Sequence, residues 1–421
     1  MMPILVLQGA RFGDLLQSKR LLLTLENRGE VHLGVDKSLA PLARKIYPGV
    51  EVHALNLHAK PDHQALEENK KCLAKWRDLD FQAVYNCNFS PLTTAMCRCF
   101  EPERITGYRP SASGILRSSW ARTAFRLSGR RRTTPLNLAD FWGHFAPAPL
   151  PARNVNPLPC PGGQGLGVVL AGREPRRSLP VPLLAEIVRC VFHVLDGPRI
   201  RLLGTKAECS SARRLMRFLP PKMHGHVEDL SGKTDWHGLV GAAEGLDMLV
   251  TPDTGTMHLG AHLGVPVLAF FLSSALCHET GPYGQGHYVW QAACNCAPCL
   301  ESAPCRAELR CLKAFRSKNF LPALGFLMEG KTLDSAQFPI DLQLWKSDLD
   351  DLGEHFQLCA GIDEYGRQRD FLRRRLRNCL SLLPLTDSPP DARTGQPVPP
   401  LEMRDWLYQD ADWMLPPERY C

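Results

Sequence analysis

The stretch Leu249–Phe271, LVTPDTGTMHLGAHLGVPVLAFF, decides the fold of this 421-residue chain. It reads as an apolar run, a polar turn, a run of small residues and a second apolar run. LDMLV, ended by Thr251-Pro252, is apolar enough for a central parallel strand, and VPVLAFF for another. Asp253 then sits at the carboxyl edge of the first strand, where functional side chains of α/β sheets gather. Thr254 and Gly255 open a helix whose first amides have no partners inside it and carry partial positive charge. Such a turn is an anion site, and Gly255 would let a phosphate approach the backbone closely. His258 lies one turn on, on the side of Thr254 and Gly255. A plain helix cap with a satisfied histidine would have the same sequence.

Working outward, strands and helices alternate on both sides of this stretch. Towards the amino terminus, ILVLQ reads as a buried strand and GARFGD as a loop. LLQSKRLLLTLENRG then reads as one helix ending at Gly29. EVHLGVD, VEVHAL and FQAVYNCN follow as strands, separated by PLARKIYPGV and ALEENKKCLAKWRDL as helices. APAPLPARNVNPLPCPGG, from Ala146, is a proline- and glycine-rich linker. Beyond it GLGVVLAG, PRIRLLG, LDMLVTP and VPVLAFF are strands, and PVPLLAEIVRCVFHVL, SARRLMRFL and WHGLVGAAEG are helices. This alternation implies right-handed crossovers and parallel sheets in two similar α/β halves, with ligands in the cleft between them. The expected division is an acceptor-side domain over 1–150, a donor-side domain over 151–330 and a C-terminal extension over 331–421. The extension reads as partly helical, through IDEYGRQRDFLRRRLRNCLSLL, and proline-rich.

Composition sets bounds on function. A hydrophobic content of 44% with 22% charged residues is that of a folded globular protein. The formal charge of +7 is mild for this length and gives no argument for a nucleic-acid partner. ILVLQ is too short an apolar run for a secretory signal, and nothing approaches the roughly 18 consecutive apolar residues of a membrane span. The expectation is a cytoplasmic protein, its 16 cysteines mostly reduced, able to touch the inner face of the membrane peripherally.

The motif P-D-T-G-x-x-H-x-x-A-x-x-G-x-P-V, Pro252–Val267, resembles the signature of glycosyltransferase family 9, the heptosyltransferases of lipopolysaccharide core assembly. The resemblance runs over roughly residues 4–328, with several motifs in the family's order. It implies a GT-B arrangement of two facing Rossmann-like domains and inverting transfer from a nucleotide sugar such as ADP-heptose to an anionic glycolipid acceptor. Asp253, Thr254, Gly255 and His258 are then donor-binding residues. ILVLQGARFGDLLQS is similar to the family's first strand and loop, which makes Asp14 the general base on the acceptor hydroxyl; the alternative is an ordinary helix-start aspartate. Arg177, with Pro180 close behind, matches a basic position of the family, and Arg173 and Arg176 are further candidates for the diphosphate, which guanidinium groups bind bidentately. Glu208, four residues after Gly204, corresponds to a ribose-holding glutamate, and Thr234 in SGKT would line the nucleotide pocket. The sequence departs from the family at Ser18-Lys19-Arg20, which puts extra positive charge near the acceptor side.

CNCAPCLESAPCRAELRC carries Cys296, Cys299, Cys305 and Cys311 at a spacing suited to a closed structural zinc site, with a disulfide or simply buried thiols as alternatives. Catalysis requires no cofactor on this reading. GILRSSWARTAFRLSGRRRTT, Gly114–Thr134, holds six arginines and reads as a surface for a phosphorylated glycolipid, or as a solvated face. Two rivals stand beside the lipopolysaccharide reading: a GT-B enzyme for another surface glycan or a protein acceptor, and a non-catalytic nucleotide-sugar-binding protein.

Overall fold

The computed structural model describes residues 2–58, 62–112, 114–128, 131–171, 175–299, 304–334 and 336–380. Two sheets organise the chain. The first comprises β1 (Pro3–Leu7), β2 (Glu30–Asp36), β3 (Glu51–Leu55), β4 (Ala83–Asn86), β5 (Ile105–Ser111) and β6 (Gly114–Arg117). Its order is β3-β2-β1-β4-β5-β6, parallel except for the β5–β6 pair. The second comprises β7 (Leu166–Val169), β8 (Ile200–Leu203), β9 (Val227–Asp229), β10 (Met248–Pro252), β11 (Val267–Phe271), β12 (Tyr288–Ala292), β13 (Leu342–Leu349) and β14 (Glu354–Ala360). Its order is β14-β13-β12-β11-β10-β7-β8-β9.

Both sheets thus have the doubly wound order, in which the chain runs outward from a first strand and then returns to that strand's other side. The switch points lie between β1 and β4 and between β7 and β10. Strand direction is dictated by burial: all five residues of β11 are buried, so helices must cover both faces and crossovers must be long. At each switch point the loops diverge to opposite faces and leave a crevice at the carboxyl edge.

The strands read from the sequence are all present, but the long first helix is not continuous. It breaks at Ser18 into Phe12–Gln17 and Lys19–Glu26. Ser18 is buried, and its hydroxyl donates to the Leu15 carbonyl at 2.7 Å, competing with helix geometry at that point.

The segment read as an extension supplies β13 and β14, which join the second sheet in antiparallel sense, and then the helix Gly366–Cys379. The turn between these strands enters a buried polar hub shared with the amino-terminal half. Arg20, 1% exposed, donates to Asp140 at 2.5 Å and to the carbonyls of Leu352 at 2.8 Å and Leu150 at 2.9 Å. Asp140 also accepts the Tyr283 hydroxyl at 2.6 Å and the Glu354 amide at 2.7 Å. Gly353, at φ +147°, passes so close to Asp140 that a methyl group there would coincide with the carboxylate. Arg373 then clamps the turn through Asp350 and the carbonyls of Gly353 and Glu354.

This hub corrects the expectation for Ser18-Lys19-Arg20. Arg20 is spent on Asp140, and Lys19 points its ammonium at the His262 carbonyl, 3.5 Å away. Burial lowers the Lys19 pKa to about 8. Within this departure from the family pattern, Arg20 is therefore a fastening between sequence-distant segments and not a free cation.

Candidate active-site cleft

A cleft of about 640 Å³ opens where the two switch points face each other. From the first sheet it receives the loop after β1, the start of the helix Phe12–Gln17 and the loop after β4. The backbone amide of Gly9 donates to Asn88 Oδ1 at 2.6 Å, tying these two loops together. From the second sheet it receives Arg177, the Asp253–His258 turn and residues 274–280 after β11.

Asp14 stands on the amino-terminal side. As the third residue of its helix it accepts the Arg11 backbone N–H at 3.0 Å, which fixes the carboxylate near the helix start. Burial raises its pKa, against the opposing pull of the Arg11 amide and guanidinium. A carboxylate made more basic by its surroundings is better suited to take a proton.

Across the cleft, Thr254 caps the helix Gly255–His262 by accepting the Met257 amide at 3.3 Å. Its φ of −146° and ψ of 165° are the extended values of an N-cap. Arg177 reaches Asp253, donating to its carbonyl at 2.8 Å and forming an ion pair with its carboxylate. His258 is buried, and burial together with the Arg177 charge drives its pKa down to about 3. It is a neutral imidazole at physiological pH, able to donate at one nitrogen and accept at the other.

The two sides touch directly. Phe12 lies against Gly255, where any side chain would fall inside the ring, and Gly13 packs against His258. Gly255 is thus needed at least as much for Phe12 as for a ligand. Phe12 also meets Trp236, with ring centroids 4.9 Å apart, and the Trp236 indole donates to the Ser38 carbonyl at 2.7 Å.

The structure therefore brings Asp14, Arg177, Asp253, Thr254, Gly255 and His258 to one cleft. Glu208 and Thr234 do not line it. Glu208 follows β8 and accepts the amide and hydroxyl of Thr205, both at 2.7 Å, in a capping box. Thr234 follows β9 at the same carboxyl edge. Arg176 lies beside Arg177, with its carbonyl accepting the Ser273 hydroxyl; Arg173 lies outside the described residues.

Sequence reading missed the pair Arg131–Glu279, which also lines the cleft. Arg131 Nε donates to both carboxylate oxygens, at 2.9 and 3.1 Å, and Nη2 reaches the Ser274 carbonyl at 2.7 Å. Glu279 is 2% exposed, and burial raises its pKa in spite of Arg131. Arg132 donates to the Ala297 and Asn295 carbonyls and to the Tyr365 hydroxyl. These two of the six arginines are structural ties to the carboxyl-terminal half, which removes them from the expected glycolipid surface. An acid in LCHETG just after a predicted strand was the available signal for Glu279.

Among the described residues, no group of three or more His, Cys, Asp or Glu side chains is placed to hold an ion. The Cys299 thiol donates to the Cys296 carbonyl at 3.4 Å, and Cys305 accepts the Leu309 amide at 3.3 Å. Cys311 is buried, which pushes its thiol up to about 11, while Cys296 is exposed. Among the described residues, no helix is long and apolar enough to cross a membrane.

Comparison with known proteins agrees with this architecture. Residues 193–309 match the model of glycosyltransferase family 9 (heptosyltransferase). No curated protein sequence matches the chain. The solved E. coli heptosyltransferase WaaC with ADP is 17% identical, with 67% of this chain and 91% of that one covered, at a TM-score of 0.53. The family 9 glycosyl transferase from Veillonella parvula DSM 2008 is 13% identical, with 76% and 92% covered, at a TM-score of 0.54. At such identities the structural likeness carries the fold: two facing Rossmann-like sheets in the GT-B arrangement.

Proposed function

We propose that this chain, a glycosyltransferase whose residues 193–309 are of family 9, transfers a sugar with inversion from a nucleotide sugar such as ADP-heptose to an anionic glycolipid of the lipopolysaccharide core, at the cytoplasmic face of the membrane. The observation that carries this reading is that Asp14, its pKa raised by burial, and the start of the helix Gly255–His262 line one cleft. The division into an acceptor-side domain to about residue 150 and a donor-side domain beyond it belongs to the same proposal.

In the proposed reaction, Asp14 takes the proton of the acceptor hydroxyl as its oxygen attacks the anomeric carbon. The bond from that carbon to the diphosphate oxygen breaks on the opposite face, and the departing charge is met by the first amides of the helix Gly255–His262 and by Arg177. Donors fixed before the reaction cost no reorganisation as charge develops, which is why this is usually the largest catalytic contribution. Asp253 holds Arg177 in position, and neutral His258 contributes a hydrogen bond without adding charge. Glu208 and Thr234, at the ends of β8 and β9, are suited to the nucleoside farther along the same edge.

The test combines binding and turnover. A panel of nucleotide sugars should raise the melting temperature of the protein; stabilisation by none of them overturns the donor-site reading. Asp14→Asn should retain donor binding and lose roughly 100- to 10,000-fold in kcat. Full activity of that variant removes Asp14 from the mechanism. A zinc clip in the cysteine loop is a separate proposal resting on sequence spacing, and metal analysis of the purified protein decides it.

A further inference from the structure

The helix Cys209–Phe218, which leads from β8 towards β9, carries charge of one sign only. Its sequence is CSSARRLMRF, and the short helix Pro221–His224 that follows adds Lys222. One face turns inward: Ala212, Leu215, Leu219 and Met223 are buried in the core shared with the helix Val181–Val194. The 3.6-residue period then places Ser210, Arg213, Arg214, Arg217 and Phe218 together on the outer face, and all are exposed. Phe218 is 49% exposed and sits among the cations.

Among the described residues, none offsets these charges. The side chains of Arg213, Arg214, Arg217 and Lys222 make no ion pair or hydrogen bond with a described residue. The acids nearest in sequence are engaged elsewhere: Glu208 accepts from Thr205 at 2.7 Å, and Glu228 pairs with Arg201 at 3.7 Å. His224 Nε2 donates to the Met216 and Leu219 carbonyls, at 2.9 and 3.0 Å, which closes the helix end and fixes the turn that carries Lys222. The surface lies at the outer edge of the second sheet, where β9 is the last strand, and none of its residues lines the cleft.

Four unpaired cations attract any polyanion, and the exposed ring narrows the choice. A purely charged partner gives an exposed phenyl ring nothing. A bilayer with anionic lipids presents phosphates above an apolar layer, so cations meet the headgroups while a neighbouring ring enters the layer beneath. We propose that Arg213, Arg214, Arg217, Phe218 and Lys222 form a docking surface for an anionic phospholipid membrane. This surface is distinct from the arginine run Gly114–Thr134, and it does not depend on the transferase reading of the cleft.

In the experiment, the full chain is sedimented with vesicles of phosphatidylcholine alone and of phosphatidylcholine mixed with phosphatidylglycerol. The expected result is binding to the mixed vesicles only, weakened by added salt. Arg213→Gln with Arg217→Gln should reduce it roughly 30-fold, at about fivefold per cation, whereas Arg213→Lys with Arg217→Lys should keep it. Phe218→Ser should reduce it roughly threefold to tenfold. Arg367→Gln with Arg374→Gln removes the same charge from exposed positions of the helix Gly366–Cys379 and should leave binding unchanged. Every substituted side chain is exposed, and circular dichroism checks each fold. No binding of the wild-type protein to mixed vesicles, or an equal loss in the two double glutamine variants, overturns the proposal. So does equal affinity for a single-stranded oligonucleotide, on whose bases Phe218 would stack. Vesicle binding needs no donor, so the result is read independently of the nucleotide-sugar panel.

Discussion

Asp140→Ala perturbs the buried polar hub directly. The Asp140 side chain is fully buried and accepts three donors: Arg20 at 2.5 Å, the Tyr283 hydroxyl at 2.6 Å and the Glu354 amide at 2.7 Å. Stranding a buried donor costs about 1–3 kcal/mol, so three set a ceiling of roughly 3–9 kcal/mol. Water entering the vacated space would recover part of this. Breaking a buried ion pair from one side typically costs about 3–5 kcal/mol, and that is the predicted loss. Removing both charges, as in Arg20→Met with Asp140→Leu, should cost clearly less than the sum of the two single changes, because no ion is then left without its partner. Urea unfolding followed by tryptophan fluorescence and by circular dichroism measures both quantities. Because the three donors come from residues 20, 283 and 354, the two signals should also separate in Asp140→Ala as the halves lose their coupling. A loss below about 1 kcal/mol, or strict additivity in the double variant, would refute the hub as the fastening between the halves.

Three further outcomes follow from the same geometry. Burial raises the Asp14 pKa, and the base works only when ionised, so kcat/KM should fall on acidification through a midpoint above the ordinary 3.8 of an aspartate; a plateau extending below that value contradicts the role. Gly353→Ala would drive a methyl group into the Asp140 carboxylate at a positive φ and should cost at least about 2 kcal/mol in the same urea assay, whereas Gly330→Ala, with open space around it, should cost only the strain of its own φ of +68°. For Asp350, burial pushes the pKa up, but the hydrogen bonds and charge of Arg373, with the charge of Arg377, bring it down to about 2. Its contribution is therefore full above the unfolded value of 3.8 and lost as pH falls towards 2, so Asp350→Asn should flatten the stability profile over that window.

How much was legible in advance divides along physical lines. The strands β1, β7, β10 and β11 were readable because a buried parallel strand is a near-continuous apolar run whatever surrounds it. The turn at Asp253–Gly255 was equally readable, since N-capping by Thr254 depends on a few adjacent residues. β13 and β14 were missed. Lys346 and Asp348 interrupt LQLWKSDL, and its place beside β12 depends on a pairing fifty or more residues away in sequence.

Charged side chains were the least legible class. Arg20, Arg131 and Arg132 looked like surface or ligand-binding cations, because a sequence gives the cost of burying a charge but not the partner that offsets it. Asp140, Glu279 and the Asn295 and Ala297 carbonyls lie 120 or more residues from the arginines they satisfy. Gly255 makes the same point at the site itself. The sequence established that it starts a helix, through local backbone chemistry alone. Only the tertiary structure set Phe12 against it and Asp14 across from it, because bringing two switch points face to face depends on contacts that no neighbouring residues encode.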